Sequence, residues 1–197
     1  YRWRKKLRAT MNTSQHQPHR KALARLRMAR DSIARADYGL AIALLRSALR
    51  QMEKDPASSF DRALCYIELA RCYNRQGDYT TASTYAQWAK NLLRHEWDAK
   101  LALAEANLEL GISSVRTGDL QRAQRCLASA YETFTARNLW AKAGECMENI
   151  ALLAKRQEHI VRAINALAFA KRFYQQVEDI TGVLRVNSHL RELIRKE

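Results

Sequence analysis

The chain has 197 residues, only six glycines and two prolines, and a formal net charge of +14 at pH 7. That length allows one domain or two, and the scarcity of turn residues, with no strand-like alternation, excludes a β-rich fold and leaves an all-α one. No apolar run approaches the roughly 20 residues that a membrane-spanning helix needs, and the charge is confined: residues 1 to 30 hold ten Lys or Arg and no acid, whereas the other 167 carry 24 basic and 20 acidic side chains.

Residues 1 to 19 combine a basic aromatic cluster, Arg2, Trp3, Arg4, Lys5, Lys6 and Arg8, with a polar stretch of no periodicity, and read as a basic flexible arm or linker. Three uses are open for it: a solvated tail, a juxtamembrane stop beside a span outside this sequence, or a contact with nucleic acid or an acidic protein. His16 and His19 lack the further ligands a metal needs, and the sequon Asn12-Thr13-Ser14 carries no weight in a chain expected to be intracellular. A start at Tyr1 leads us to expect a fragment or a processed form.

From residue 20 apolar residues recur at spacings of three and four, the mark of helices with one buried face. Residues 20–55 hold a first helical pair, with Ala41, Leu45 and Ala48 on one face, ended by Asp55-Pro56-Ala57-Ser58-Ser59 because proline cannot continue a helix. Residues 58–95 hold a second pair, with Tyr66, Leu69, Ala70 and Tyr73 before the turn Gly77-Asp78, then Tyr79, Ala82, Ala86 and Ala89 behind it. Residues 98–136 repeat this with Leu110-Gly111, Gly118-Asp119-Leu120, Ala123, Leu127 and Ala130, and residues 138–176 with Glu158-His159-Ile160, Ala163, Leu167 and Ala170. A lone helix of about 180–196, with Val183, Val186, Leu190 and Ile194 on one face, is expected to cover the last apolar surface.

The turn recurs at Ala36-Asp37, Gly77-Asp78, Gly118-Asp119 and Glu158-His159, steps of 41, 41 and 40. In that pattern of large and small residues, the stretch from Ala63 to Ala89 resembles a tetratricopeptide repeat (TPR), with Ala86 where the family usually has a bulkier residue. The resemblance covers about residues 20 to 195 and implies a right-handed superhelical solenoid of four antiparallel helix pairs plus a C-terminal capping helix. Units longer than the common form of about 34 residues look like those of kinesin light chains, polarity adaptors and the sensor arms of bacterial regulators. Ser58, Asp98, Asn138 and Asp179 form a second column and are expected to be N-caps of the helices they precede. Trp97 and Trp140 are expected to fill the wedges between stacked pairs.

Cys65, Cys72, Cys126 and Cys146 form no C-x-x-C pair and have no histidine at ligand spacing, so they read as small buried thiols in a reducing compartment. That implies a cytoplasmic chain, or the cytoplasmic part of a membrane-anchored one. No nucleophile elbow, phosphate loop, dinucleotide fingerprint or H-E-x-x-H is present, so neither a reaction nor a cofactor is expected. The acidic pair Glu105 and Glu109 reads as a solvated helix face.

The remaining signal lies on the first helix of each pair, which lines the concave groove in the family. Numbered from Ala22, Ala63, Ala104 and Gly144, the thirteenth place holds Ala34, Arg75, Arg116 and Arg156; the ninth holds Arg30, Arg71, Ile112 and Leu152; the twelfth holds Ile33, Asn74, Val115 and Lys155. If these face inward, Arg30, Arg71, Asn74, Arg75, Arg116, Lys155 and Arg156 form a basic groove suited to an acidic or amphipathic protein segment. Equally, the thirteenth place lies in a last helical turn, where a cation complements the helix dipole. Leu26 and Arg30 occupy the places where chaperone-binding members carry Lys and Asn, so a clamp for a terminal carboxylate is not expected. The functions that follow are a protein-binding scaffold, a sensor or oligomerisation arm of a larger regulatory protein, or nucleic-acid binding through the arm and first helix.

Overall fold

A computed structural model describes residues 19–53, 59–94, 96 and 98–195. The arm residues Arg2, Trp3, Arg4, Lys5, Lys6 and Arg8, and with them His16, Ser58 and Trp97, lie outside the described residues. Everything regular within them is α-helix: α1 (19–34), α2 (Tyr38–Met52), α3 (Ser59–Gln76), α4 (Tyr79–Leu93), α5 (Lys100–Thr117), α6 (Leu120–Ala136), α7 (Trp140–Arg156), α8 (Ile160–Gln176) and α9 (Ile180–Ile194). The all-α repeat of successive helix pairs is therefore the observed fold. The chain divides into two compact units, one through Trp97 and one from Asp98, a boundary that falls between the second and third pairs.

In the first unit Ala22, Leu26 and Ala29 of α1 meet Ala41, Leu45, Ala48 and Met52 of α2 and Cys65, Leu69 and Cys72 of α3 in one buried cluster. The alanines recur where helices approach most closely, because a small side chain lets two backbones come together. Rings of α3 and α4 pack on one another: Tyr73 stacks on Tyr85 at 5.6 Å, and Trp88, itself 47% exposed, meets Tyr85 edge-on at 5.3 Å. Arg46 of α2 donates to the Tyr73 hydroxyl at 2.7 Å.

In the second unit α5 pairs with α6 and α7 with α8; α6 packs on α7, and α8 on α9. Leu108, Val115, Leu127, Phe134, Cys146 and Leu153 are buried in one cluster, and Ala151, Ala163, Leu167, Ala170, Tyr174, Val186 and Leu193 in the next. At Gly111 the approach of α6 leaves no room for a side chain, since a Cβ there would stand 2.7 Å from Leu127 Cγ. Trp140 stacks on Phe173 at 5.6 Å, and Phe173 touches Tyr131 at 6.2 Å, so rings from α6, α7 and α8 join two adjacent pairs.

The turns explain the constant repeat step. Ala36, Gly77, Gly118 and Glu158 all have positive φ, and the following Asp37, Asp78 and Asp119 each accept a backbone N–H three residues on, at 3.0, 3.1 and 3.1 Å. A left-handed residue followed by an acidic N-cap thus reverses the chain within two positions. Glycine adopts such a φ freely, whereas an L side chain pays about 1 kcal/mol or more. Ala36→Gly and Glu158→Gly should therefore each stabilise the fold by about 0.5 to 1 kcal/mol in urea denaturation; a loss at both would show that these turns are held by their side chains.

The second column of polar residues is corrected by the same geometry. Asp98 and Asn138 are themselves left-handed, at φ 62° and 55°, and the N-caps of α5 and α7 are Ala99 and Leu139, neither with a side-chain cap bond. Asn and Asp tolerate this backbone region better than most residues do, so the column marks turns between pairs. Asp179 belongs to a different register place: there Glu178 is left-handed and Asp179 caps α9, accepting from Gly182 N at 2.9 Å. The terminal helix buries Val186 and Leu193, while Ile194, expected on that face, is 62% exposed.

The small-residue register has its own test. Ala82 and Ala123 are fully buried, so leucine at either should overpack and cost about 1 to 3 kcal/mol of unfolding free energy. Neutral results at both would contradict the packing.

All four cysteines are free and buried. Burial, with Asp61 and Glu68 nearby, pushes the Cys65 thiol up from 9.0 to about 12. Burial, with Glu145, also raises Cys146. Between pH 9.0 and about 12 the unfolded chain has released a Cys65 proton that the folded chain retains, so stability falls as pH rises through that window. Melting temperatures from pH 8 to 11 should drop less steeply for Cys65→Ala than for the wild type.

Candidate functional site

The first helices carry the polar side chains that the sequence singles out, and the structure treats them in two ways. In the first unit Arg30 Nε donates to Glu68 Oε1 at 2.8 Å, and Arg71 Nη1 donates to Glu68 Oε2 at 2.6 Å. The Glu68 side chain is 3% exposed, and both its oxygens are held by guanidiniums from α1 and α3. An isolated buried carboxylate would be expensive; two charge-assisted bonds offset that cost. Arg30 and Arg71 are thus brought together on an internal acid, with Arg30 still half exposed. Asn74, also expected to line a groove, is buried.

Arg75 stands one turn beyond Arg71 and is exposed, in the last turn of α3. Arg116 is exposed in the last turn of α5, and Lys155 and Arg156 close α7, with Lys155 half-buried and Arg156 exposed. Arg75 belongs to the first unit, and Arg116, Lys155 and Arg156 belong to the second, where α5 and α7 touch.

The acidic pair on α5 is corrected. Glu109 is buried, and Glu105 accepts an ion pair from Lys142 Nζ of α7 at 3.3 Å. The face that looked solvated is turned inward because α5 is flanked by both α6 and α7. Glu68 and Glu109 occupy the same place 41 residues apart, the third residue after Cys65 in one helix and after Ala106 in the other. An acid recurring inside an otherwise apolar run was the available signal for burial.

A further carboxylate fastens α9. Glu148 of α7 accepts from Arg185 Nε at 3.0 Å and from the Tyr174 hydroxyl at 3.3 Å, and Arg185 Nη2 reaches the same hydroxyl at 3.1 Å. Burial opposes the charge on Arg185, but the hydrogen bonds and charge of Glu148 outweigh it and raise its pKa. Burial, with Glu148 beside it, holds the Tyr174 hydroxyl protonated above its usual range. Gly182 lets α9 close over that ring, since a Cβ there would stand 2.6 Å from Tyr174 Cγ.

Among the described residues no group of three His, Cys, Asp or Glu is placed to hold a metal ion, and no helix is long and apolar enough to cross a membrane. His19 lies in α1 and pairs with Asp61 at 3.1 Å.

No family model and no curated protein matches the chain in sequence. Solved structures do match in shape. Aspartyl phosphate phosphatase F from Bacillus subtilis aligns with a TM-score of 0.73 at 14% identity, covering 96% of this chain and 49% of that one. BtubC (BKLC) from P. vanneervenii aligns at 0.60 with 15% identity over 94% of this chain and 91% of that one. A kinesin-light-chain-like protein of nearly identical TPR-like repeats from Podosopora anserina aligns at 0.64 with 15% identity over 92% and 97%. The fold is that of TPR-like repeat proteins, and the chain spans about half the length of the Bacillus phosphatase. At this identity the likeness carries architecture and no activity.

Proposed function

We propose that this TPR-like chain is a protein-binding scaffold with no reaction of its own, and that the guanidiniums ending its first helices read carboxylates on an acidic or amphipathic segment of a partner. The observation that carries the reading is the recurrence of an exposed arginine, Arg75, Arg116 and Arg156, at one place in three successive pairs. A helix dipole asks only for a cation and supplies some 0.3 to 1 kcal/mol; it does not explain arginine in all three, whereas bidentate recognition of carboxylates does. In the first unit Arg30, Arg71 and Asn74 accompany Arg75, Arg30 half exposed and Arg71 mostly buried, and in the second Lys155 accompanies Arg116 and Arg156. Four buried free thiols suit a reducing compartment.

The test is a titration by fluorescence anisotropy of a labelled helix-forming peptide with one acidic and one apolar face, beside single-stranded DNA of equal charge. Binding of the peptide that depends on the three arginines supports the scaffold. Preference for DNA, with affinity falling steeply as salt rises, would replace it with a nucleic-acid function carried by the basic arm.

A further inference from the structure

Helix α8 carries an outer face whose chemistry the repeat does not require. Val161, Arg162, Asn165, Ala168, Phe169 and Arg172 are all exposed and, at about 100° of rotation per residue, share one side of the helix. The same six places on α6, from Gln121 to Glu132, are exposed too, although another helix pair is stacked beyond α6. This side of a second helix therefore faces outward with or without a following pair. What differs is its composition. On α8 Val161 is 71% exposed where α6 has Gln121, Phe169 is 48% exposed where α6 has Ser129, and Arg172 replaces the acid Glu132. The helix contains Arg162, Lys171 and Arg172 and no Asp or Glu; Glu158 and Glu178 lie outside it, in the turns at its two ends. In the same unit Asp119 pairs with Arg122, Glu105 with Lys142 and Glu148 with Arg185, whereas among the described residues neither Arg162 nor Arg172 pairs with a carboxylate. The Arg172 guanidinium lies over the Phe169 ring, 5.9 Å from its centre.

Exposed apolar side chains interleaved with guanidiniums, on a helix without an acid, match an occupant that is apolar beneath an anionic surface. A nucleic acid would satisfy the arginines but has no apolar place for Val161. A protein partner anchors its side chains in pockets, and a single protruding helix face offers none. A bilayer needs only such a face: apolar side chains enter the boundary between headgroups and acyl chains while cations meet the lipid phosphates. We propose that the outer face of α8 rests on an anionic lipid surface, with Val161 and Phe169 inserted at the interface and Arg162 and Arg172 on headgroup phosphates. Charge complementarity selects the anionic lipid, since this helix brings cations alone. The opposite side of α8 stays in the core through Ala163, Leu167 and Ala170, so the contact is peripheral and reversible. The proposal stands independently of the arginine column, which lies on first helices.

The experiment uses the full chain with a polarity-sensitive fluorophore on Asn165→Cys, the native thiols being buried. Vesicles of phosphatidylcholine and phosphatidylserine in equal parts should shift its emission to the blue, and vesicles of phosphatidylcholine alone should not. The same label on Ser129→Cys of α6 should stay unshifted. Phe169→Glu, and separately Arg162→Glu with Arg172→Glu, should abolish the shift and lower partitioning in vesicle sedimentation by about tenfold. These sites are exposed, so circular dichroism should show unchanged helix content. No binding to the anionic vesicles, equal shifts from both label positions, or a shift that survives Phe169→Glu would overturn the proposal. So would vesicle binding with an unshifted Asn165→Cys label, which would leave the basic arm of residues 1 to 19 as the lipid contact. A larger shift with single-stranded DNA than with anionic vesicles would make nucleic acid the occupant.

Discussion

Glu68→Ala should destabilise the chain by about 2 to 4 kcal/mol in urea denaturation, because it removes the buried carboxylate to which Arg71, whose side chain is 19% exposed, donates at 2.6 Å. Arg30, at 46% exposure, can turn to water and should contribute little: Arg30→Ala should cost about 1 kcal/mol or less. The double variant Glu68→Leu with Arg71→Met decides the interpretation. Replacing a whole buried ion pair by apolar groups of similar volume is often neutral or stabilising, so the double should recover most of what Glu68→Ala loses. A double variant as unstable as the single would mean that the triad holds α1 against α3 by geometry that apolar packing cannot reproduce. Either result would say whether this network contributes stability or only fixes one arrangement of the two helices.

Reversal of Arg75, Arg116 and Arg156 together to Glu should weaken binding of the acidic amphipathic peptide by about 2 kcal/mol or more per desolvated contact, while leaving the unfolding free energy nearly unchanged. The control is Arg125, which is exposed on α6. Arg122, its neighbour in sequence, is unsuitable: its Nε pairs with Asp119 at 3.1 Å, and Asp119 caps α6, so a change there disturbs the helix start as well as the charge. Calorimetry on the triple variant and on Arg125→Glu separates the outcomes. Equal losses would mean diffuse attraction to a basic surface. Undiminished binding in the triple variant would place the partner elsewhere, with the basic arm of residues 1 to 19 the first segment to test.

How far the sequence carries this reading depends on the range of the interaction concerned. Pairing of neighbouring helices repeats a local pattern, so Ala41, Ala82, Ala123 and Ala163, all fully buried, were legible from spacing alone, as were the turns at Gly77 and Gly118. Cys65 and Cys146 were placed in the core for the same reason. Charged side chains were less legible. Arg71 and Arg75 are alike in sequence and one helical turn apart, yet one is locked to a buried carboxylate and the other is exposed. Nothing local separates them, because the deciding partner is the acid at 68 and the helix that covers it.

By itself, then, the sequence determined the class, the repeat length and the buried small residues, since all three follow from helical periodicity and from contacts between neighbours in the chain. Tertiary structure alone decided which side of α5 is solvated, burying Glu109; whether Asp98 and Asn138 cap a helix or turn the chain; and whether Leu193 or Ile194 of α9 reaches the core. A rotation of one residue, about 100° of helix, moves a side chain from core to solvent. Helical spacing specifies a face only to about that angle, and the contact with the next helix settles the rest.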